Sequence, residues 1–170
     1  MAAIVGLAGF SNSGKTTLVT KLVRYFTALG VRTAVIKHDG HGHYKEAAGA
    51  DSTLFIEAGA QATVVVSPDA YRLYRKQTFE DLETVIAALP LAELDLVLIE
   101  GFKQGPHDKI ALFRSPEQAS LLDQLPEKPI AAVTPQALRE YAVSRGIPSF
   151  DPDDISSIAS MIQERYRLSI

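Results

Sequence analysis

The segment Gly9-Phe10-Ser11-Asn12-Ser13-Gly14-Lys15-Thr16 fits the pattern G-x-x-x-x-G-K-[ST] at every fixed position, and Thr17 follows it. Few sequence features restrict a fold as strongly, because the pattern works only between a strand and a helix. Both flanks are of the required kind. Ala3–Ala8 is a short, near-continuous apolar run and reads as a buried parallel strand. From Lys15 to Leu29, the residues Leu18, Val19, Leu22, Val23, Phe26 and Leu29 recur at helical spacing, with Gly30 where a left-handed C-terminal cap belongs. Backbone N–H groups around Asn12–Thr16 can wrap a polyphosphate, with Gly9 and Gly14 allowing the turn and the close approach. The positive end of the helix dipole points at the same spot. In this arrangement Lys15 bridges the β- and γ-phosphates, and the Thr16 hydroxyl is a ligand for Mg²⁺.

The rest of the chain alternates strands with helices. Strands are expected at Thr33–Lys37, Thr63–Ser67, Asp95–Ile99, Lys109–Phe113 and Ile130–Thr134, with Tyr71–Arg75 pairing beside the second of these. Helices are expected over Glu46–Ala58, Phe79–Leu89, Pro135–Arg145 and Asp153–Arg167, the last capped by Asp153 or Asp154. Ser115–Leu125 reads equally as a helix or an irregular insert. Such alternation implies right-handed βαβ crossovers, hence an α/β fold of three layers with a mainly parallel central sheet. With 170 residues and no repeat or linker, a single nucleotide-binding domain over residues 1–170 is expected.

Composition narrows the function. A net charge of −3 without a basic stripe speaks against nucleic acid as a partner. The absence of cysteine removes disulfides, iron–sulfur clusters and cysteine-ligated zinc. No apolar run approaches the ~20 residues of a membrane span, and the first residues lack the plan of a secretory signal. A cytoplasmic protein with no membrane partner is the expectation.

A second acidic group for the nucleotide is expected at the C-terminal tip of another parallel strand, where open α/β sheets gather their ligands. Asp95-Leu96-Val97-Leu98-Ile99-Glu100-Gly101 supplies it in Glu100, whereas Asp95 starts the strand and lies at the wrong end of the sheet. Glu100 is thus expected beside Thr16 as a Mg²⁺ group and beside Lys15 in the chemistry; capping of a turn is the plainer alternative. Lys37-His38-Asp39-Gly40-His41-Gly42-His43 falls at the tip of the second strand. It suits contact with a nucleotide or another phosphate ligand, a solvated loop, or a zinc site through His38, His41 and His43. Lys103, two residues beyond Gly101, suits either solvent or a second anionic ligand. No Asn/Thr-Lys-x-Asp base-reading segment is present, and no glutamine or arginine is marked by position as a group that speeds hydrolysis.

The phosphate loop, the Lys37–His43 block and the ending Glu100-Gly101-Phe102-Lys103 together resemble the molybdopterin-guanine dinucleotide biosynthesis adapter proteins of the MobB type. Gly49-Ala50-Asp51-Ser52 and Glu57-Ala58-Gly59-Ala60 extend the resemblance over most of Ala3–Phe113. It implies a homodimer that binds GTP with Mg²⁺, hydrolyses it weakly, and assists the molybdopterin guanylyltransferase that joins GMP to molybdopterin. It places Gly9, Ser13, Gly14, Lys15, Thr16 and Thr17 on phosphates and Mg²⁺, with Glu100 as the second acidic group. Lys37, His38, Asp39 and Lys103 then lie near the nucleotide or the pterin phosphate. Two readings compete with an adapter: a small-molecule kinase of the same fold using ATP, and an interaction module with a vestigial loop. A kinase needs an arginine-rich lid, and Arg139, Arg145, Arg165 and Arg167 are expected in distant C-terminal helices.

Overall fold

The computed structural model describes residues 2–40, 42, 47–76 and 81–169. The chain divides into two compact units, Met1–His38 with Leu82–Ile170, and Asp39–Asp81. The first contains β1 (Ala3–Gly9), α1 (Lys15–Ala28) and β2 (Thr33–Lys37). The second contains α2 (Asp51–Glu57), β3 (Ala62–Ser67) and β4 (Ala70–Arg75). The chain then returns to the first unit for α3 (Leu82–Ala87), β5 (Leu96–Glu100), β6 (Lys109–Leu112) and β7 (Ala131–Val133). It ends with α4 (Glu140–Val143), β8 (Ser149–Phe150) and α5 (Ile155–Tyr166).

The six strands of the first unit lie in the order β2-β5-β1-β6-β7-β8, and every neighbouring pair is parallel. All their C-terminal tips therefore share one edge, as the sequence predicts for Gly9, Lys37 and Glu100. Alternation along the strands distributes the core. Val5, Leu7, Leu96, Leu98, Ile110 and Leu112 face Leu18, Leu22 and Phe26 of α1 and Ile158 and Ile162 of α5. On the opposite face, Val97 and Ile99 meet Leu82, Val85 and Ile86 of α3, while Ala111 and Phe113 meet Leu121, Leu122 and Ala142. The result is the three-layer α/β fold expected from the sequence.

Several elements differ from their sequence readings. The undecided stretch contains a 3-10 helix at Gln118–Asp123. The helix expected over Pro135–Arg145 is broken into a 3-10 turn, Gln136–Leu138, and the one-turn α4. The two-residue β8 is too short to carry a period-2 signal and was not expected. Of the two N-cap candidates, Asp154 caps α5 by accepting from the Ser157 N–H at 3.1 Å, while Asp153 pairs with Lys21 at 2.7 Å. The helices expected over 46–58 and 79–89 are observed at Asp51–Glu57 and Leu82–Ala87; Glu46, Phe79 and Glu80 lie outside the described residues.

The crossover from β5 to β6 contains no helix. Residues 101–108 carry the chain back from the tip edge to the opposite end of the sheet, where parallel crossovers usually need a dozen residues or more. The segment is fastened along its length. The buried Lys109 ammonium donates to the carbonyls of Gly105 and His107. Asp108 accepts from Arg165 at 2.8 Å and from the Tyr166 hydroxyl at 2.7 Å. The His107 ring lies directly on β1: a Cβ at Gly6 would stand 2.3 Å from its Nε2, so any side chain there would have to displace the ring.

In the second unit, β3 and β4 form an antiparallel hairpin. A cavity of about 370 Å³ between α2 and the hairpin is lined by residues including Ser52, Ile56, Val65 and Tyr74. Val64 and Val66, opposite Leu73 and Tyr71, form the other hairpin face and are all exposed, Val66 by 77% and Tyr71 by 73%.

Burial, with a lesser contribution from the Lys109 charge, lowers the pKa of His107 from 6.5 to about 4. Between these values only the unfolded chain takes up the proton, so His107 makes folding less favourable as pH falls through this window. Urea midpoints measured at pH 7 and pH 4.5 are expected to fall less in His107→Gln than in the parent protein.

Candidate functional site

The loop after β1 takes its shape from two left-handed residues, Asn12 (φ 61°) and Gly14 (φ 97°). Asparagine tolerates that region better than most residues. Gly9 serves differently from the expected turn: it makes room. A Cβ there would meet Ser13 Oγ at 2.2 Å and Leu112 O at 2.9 Å. Ser13 is thereby tucked against the strand, and its buried hydroxyl has no hydrogen-bond partner among the described residues. Gly14 precedes α1 without any side-chain cap, leaving the first-turn N–H groups of a 14-residue helix directed at the loop.

Lys15 Nζ donates to Phe10 O across the loop at 2.8 Å. Its pKa is lowered by burial; Glu100 opposes that shift, and the charges of Lys103 and Lys37 add to it. Thr16 Oγ1 donates to Glu100 Oε1 at 2.8 Å, joining the start of α1 to the tip of β5. Glu100 is the last residue of its strand and is buried. Its Oε1 also lies 3.8 Å from Lys37 Nζ at the tip of β2. Lys103 Nζ sits over the Phe10 ring, 4.2 Å from the centroid, which brings a third lysine to the loop.

The turn after β5 is held by close packing. Gly101 has φ 102°, and a Cβ there would lie 2.8 Å from His38 Cβ. The His38 N–H donates to Glu100 O at 2.8 Å, and its ring stacks on Phe102 at 4.3 Å between centroids. His38 is thus fixed beside the acidic tip. Asp39 begins the second unit. His41 and His43 lie outside the described residues, and no group of three His, Cys, Asp or Glu residues able to hold a metal occurs among the described ones.

Thr17 follows Thr16 into α1, and a cavity of about 320 Å³ over the loop is lined by Asn12, Gly14, Lys15, Thr16, Thr17 and Arg114. Sequence reasoning missed Arg114 and also Gln118. The Gln118 carboxamide bridges two segments: its Oε1 accepts from the Arg114 N–H at 2.8 Å, and its Nε2 donates to Ser11 O at 3.3 Å. An arginine directly after a buried strand was the one available signal.

A buried parallel strand, a glycine-bounded loop running into an uncapped helix, and a carboxylate on the neighbouring strand tip define a P-loop α/β protein. No described helix is long and apolar enough to cross a membrane. Residues 4–135 match the family described as Molybdopterin guanine dinucleotide synthesis protein B, MobB, and the chain belongs to that family. It is 33% identical to the molybdopterin-guanine dinucleotide biosynthesis adapter protein of Haemophilus influenzae, over 94% of this chain and 87% of that one. It is 29% identical to the Escherichia coli adapter protein, over 96% and 93% of the two chains. The crystal structure of Bacillus subtilis MobB superposes with a TM-score of 0.74 at 29% identity, covering 94% of this chain and 97% of that one.

Because Gly101 combines a left-handed backbone with contact on His38, Gly101→Ala is expected to cost about 1–3 kcal/mol in urea denaturation.

Proposed function

We propose that this chain is a GTP-binding adapter in formation of the guanine dinucleotide form of the molybdenum cofactor, assisting a molybdopterin guanylyltransferase in the cytoplasm. Family membership and the adapter names of the relatives support the pathway. The observation that carries the nucleotide reading is the 2.8 Å contact between Thr16 and Glu100 at the mouth of the phosphate loop. A hydroxyl and a carboxylate are the oxygen donors that Mg²⁺ takes, so these two residues fit the ion. When bound, Mg²⁺ neutralises charge on the terminal phosphates. Gly9, Asn12, Ser13, Gly14 and Thr17 form and start the phosphate cradle, and Lys15 supplies its cation. Lys37, His38, Asp39 and Lys103 are assigned to the nucleotide or the pterin phosphate.

Hydrolysis is proposed to be slow. Among the described residues, those lining the cavity over the loop include no glutamine or free carboxylate to orient a water. Three of the four C-terminal arginines considered for a kinase lid are engaged elsewhere: Arg165 with Asp108 at 2.8 Å, Arg145 with Asp123 at 3.0 Å, and Arg139 with Asp151 at 3.6 Å. This supports an adapter over an ATP-dependent kinase of the same fold. The preference for guanine comes from the family resemblance.

A homodimer is part of the proposal. The apolar hairpin face of Val64, Val66, Tyr71 and Leu73 is uncovered, and a second copy of the same face would bury it.

Parallel calorimetric titrations with Mg-GTP and Mg-ATP test the nucleotide assignment. Tighter GTP binding is expected, and Lys15→Ala should abolish it in a folded protein; an ATP preference would favour the kinase instead. Sedimentation equilibrium tests the assembly: the parent is expected as a dimer and Val66→Asp as a monomer, whereas a monomeric parent would end the dimer assignment.

A further inference from the structure

Arg114 follows β6 at the tip edge of the sheet, on the side of β1 opposite Glu100. Its guanidinium lies over the backbone of Gly14. A Cβ built there would stand 2.6 Å from Nη2, 2.8 Å from Cζ and 3.0 Å from Nε. The same residue lines the 320 Å³ cavity over the loop, and also a small crevice of about 30 Å³ shared with Ser13, Thr17, Lys21 and Asp153. Among the described residues no carboxylate is paired with the Arg114 guanidinium; the acid on that side, Asp153, is taken by Lys21 at 2.7 Å. The Arg114 backbone is fixed to the loop through Gln118, which bonds both Arg114 N–H and Ser11 O. A planar five-donor fork is thus held against an anion-binding loop by a dedicated amide bridge.

We propose that Arg114 contacts the phosphate nearest the nucleoside, and that Gln118 is the residue that positions it. The inference rests on the nucleotide reading above. Its direction follows from the sheet order. The residues that would hold Mg²⁺, Thr16 and Glu100, lie on the β5 side of β1, so the terminal phosphates whose charge that ion would neutralise would sit on that side. The remaining phosphate then runs towards β6, where Arg114 and Thr17 lie. Three lysines, Lys15, Lys37 and Lys103, gather around Glu100 and the loop, whereas Arg114 lines the cavity on its β6 flank, and the neighbouring Lys21 is paired with Asp153. The lysines serve the charge of the chain's end; the arginine serves the part common to GTP, GDP and GMP.

The test is calorimetric titration of the full chain with Mg-GTP, Mg-GDP and GMP, using the parent, Arg114→Ala, Arg114→Lys, Gln118→Ala and Lys15→Ala. Arg114→Ala is expected to weaken all three ligands by a common factor, roughly 10- to 100-fold. Arg114→Lys should restore part of the loss, since a point charge replaces the fork. Gln118→Ala should weaken the three ligands in the same proportion to one another, by a smaller factor. Lys15→Ala should instead penalise GTP and GDP far more than GMP. If the parent binds none of these ligands, the nucleotide reading falls and this inference with it. If the parent binds and Arg114→Ala binds equally well, the inference alone is overturned. Loss confined to GTP would also overturn it, because the contact would then lie at the terminal phosphate.

Discussion

Parallel pairing of β1 on both edges holds the site together. β5 and β6 flank it in register, Leu7 with Glu100 on one side and Gly9 with Leu112 on the other. That arrangement sets the carboxylate one strand from the loop and the arginine one strand away in the opposite direction. It also buries the strand, with Val5, Leu7 and Ala8 wholly inaccessible, so its tip is a rigid base for a loop containing two left-handed residues. Glycine takes up that conformation freely, whereas the strain at Asn12 persists only where the surroundings over-determine it. Here the surroundings include the Gly9–Ser13 contact, the Lys15 bond to Phe10 and the Gln118 bridge.

The charge pattern follows from the same geometry. On one side of the loop a buried carboxylate is shared by a hydroxyl and a nearby lysine, which leaves an acidic point among cations. On the other side a guanidinium stands beside an acid already committed to Lys21. An anionic ligand bound as proposed would meet cations on both flanks, and Glu100, the sole buried carboxylate among the described residues, lies where a divalent ion would compensate it. The lowered proton affinity of Lys15 belongs to this crowding as well as to burial, since Lys103 and Lys37 both push it in that direction.

Much of this was legible in the sequence because the informative residues are local. Gly9–Thr16, with a strand before and a helix after, specifies the loop within about 20 residues, and the apolar run ending at Glu100 specifies the acid by putting it at a strand's C-terminal tip. What escaped depends on residues that meet only in three dimensions. Arg114 looks like any surface arginine after a strand, and nothing in its neighbours announces that its fork will lie on Gly14. Gln118 sits in a 3-10 segment without periodic apolar spacing, so its bridge to Ser11 has no local signature. Gly9 was identified as allowing the turn and a close approach, but the space it leaves for Ser13 and Leu112 O could not be read from the sequence. The lone imidazole wedged on Gly6 was invisible for the same reason: a missing Cβ matters only to whatever packs on it.

The strand order has a consequence for how the chain comes into being. Synthesis delivers the phosphate loop before the strands that frame it: neither neighbour of β1 exists until the ribosome has made Leu96–Glu100 and then Lys109–Leu112. The whole second unit emerges in between. Closing so long a segment is entropically slow compared with local pairing. The phosphate loop therefore acquires its walls long after it is made, and a nascent chain interrupted before Leu112 carries the loop's residues without both strands that frame it.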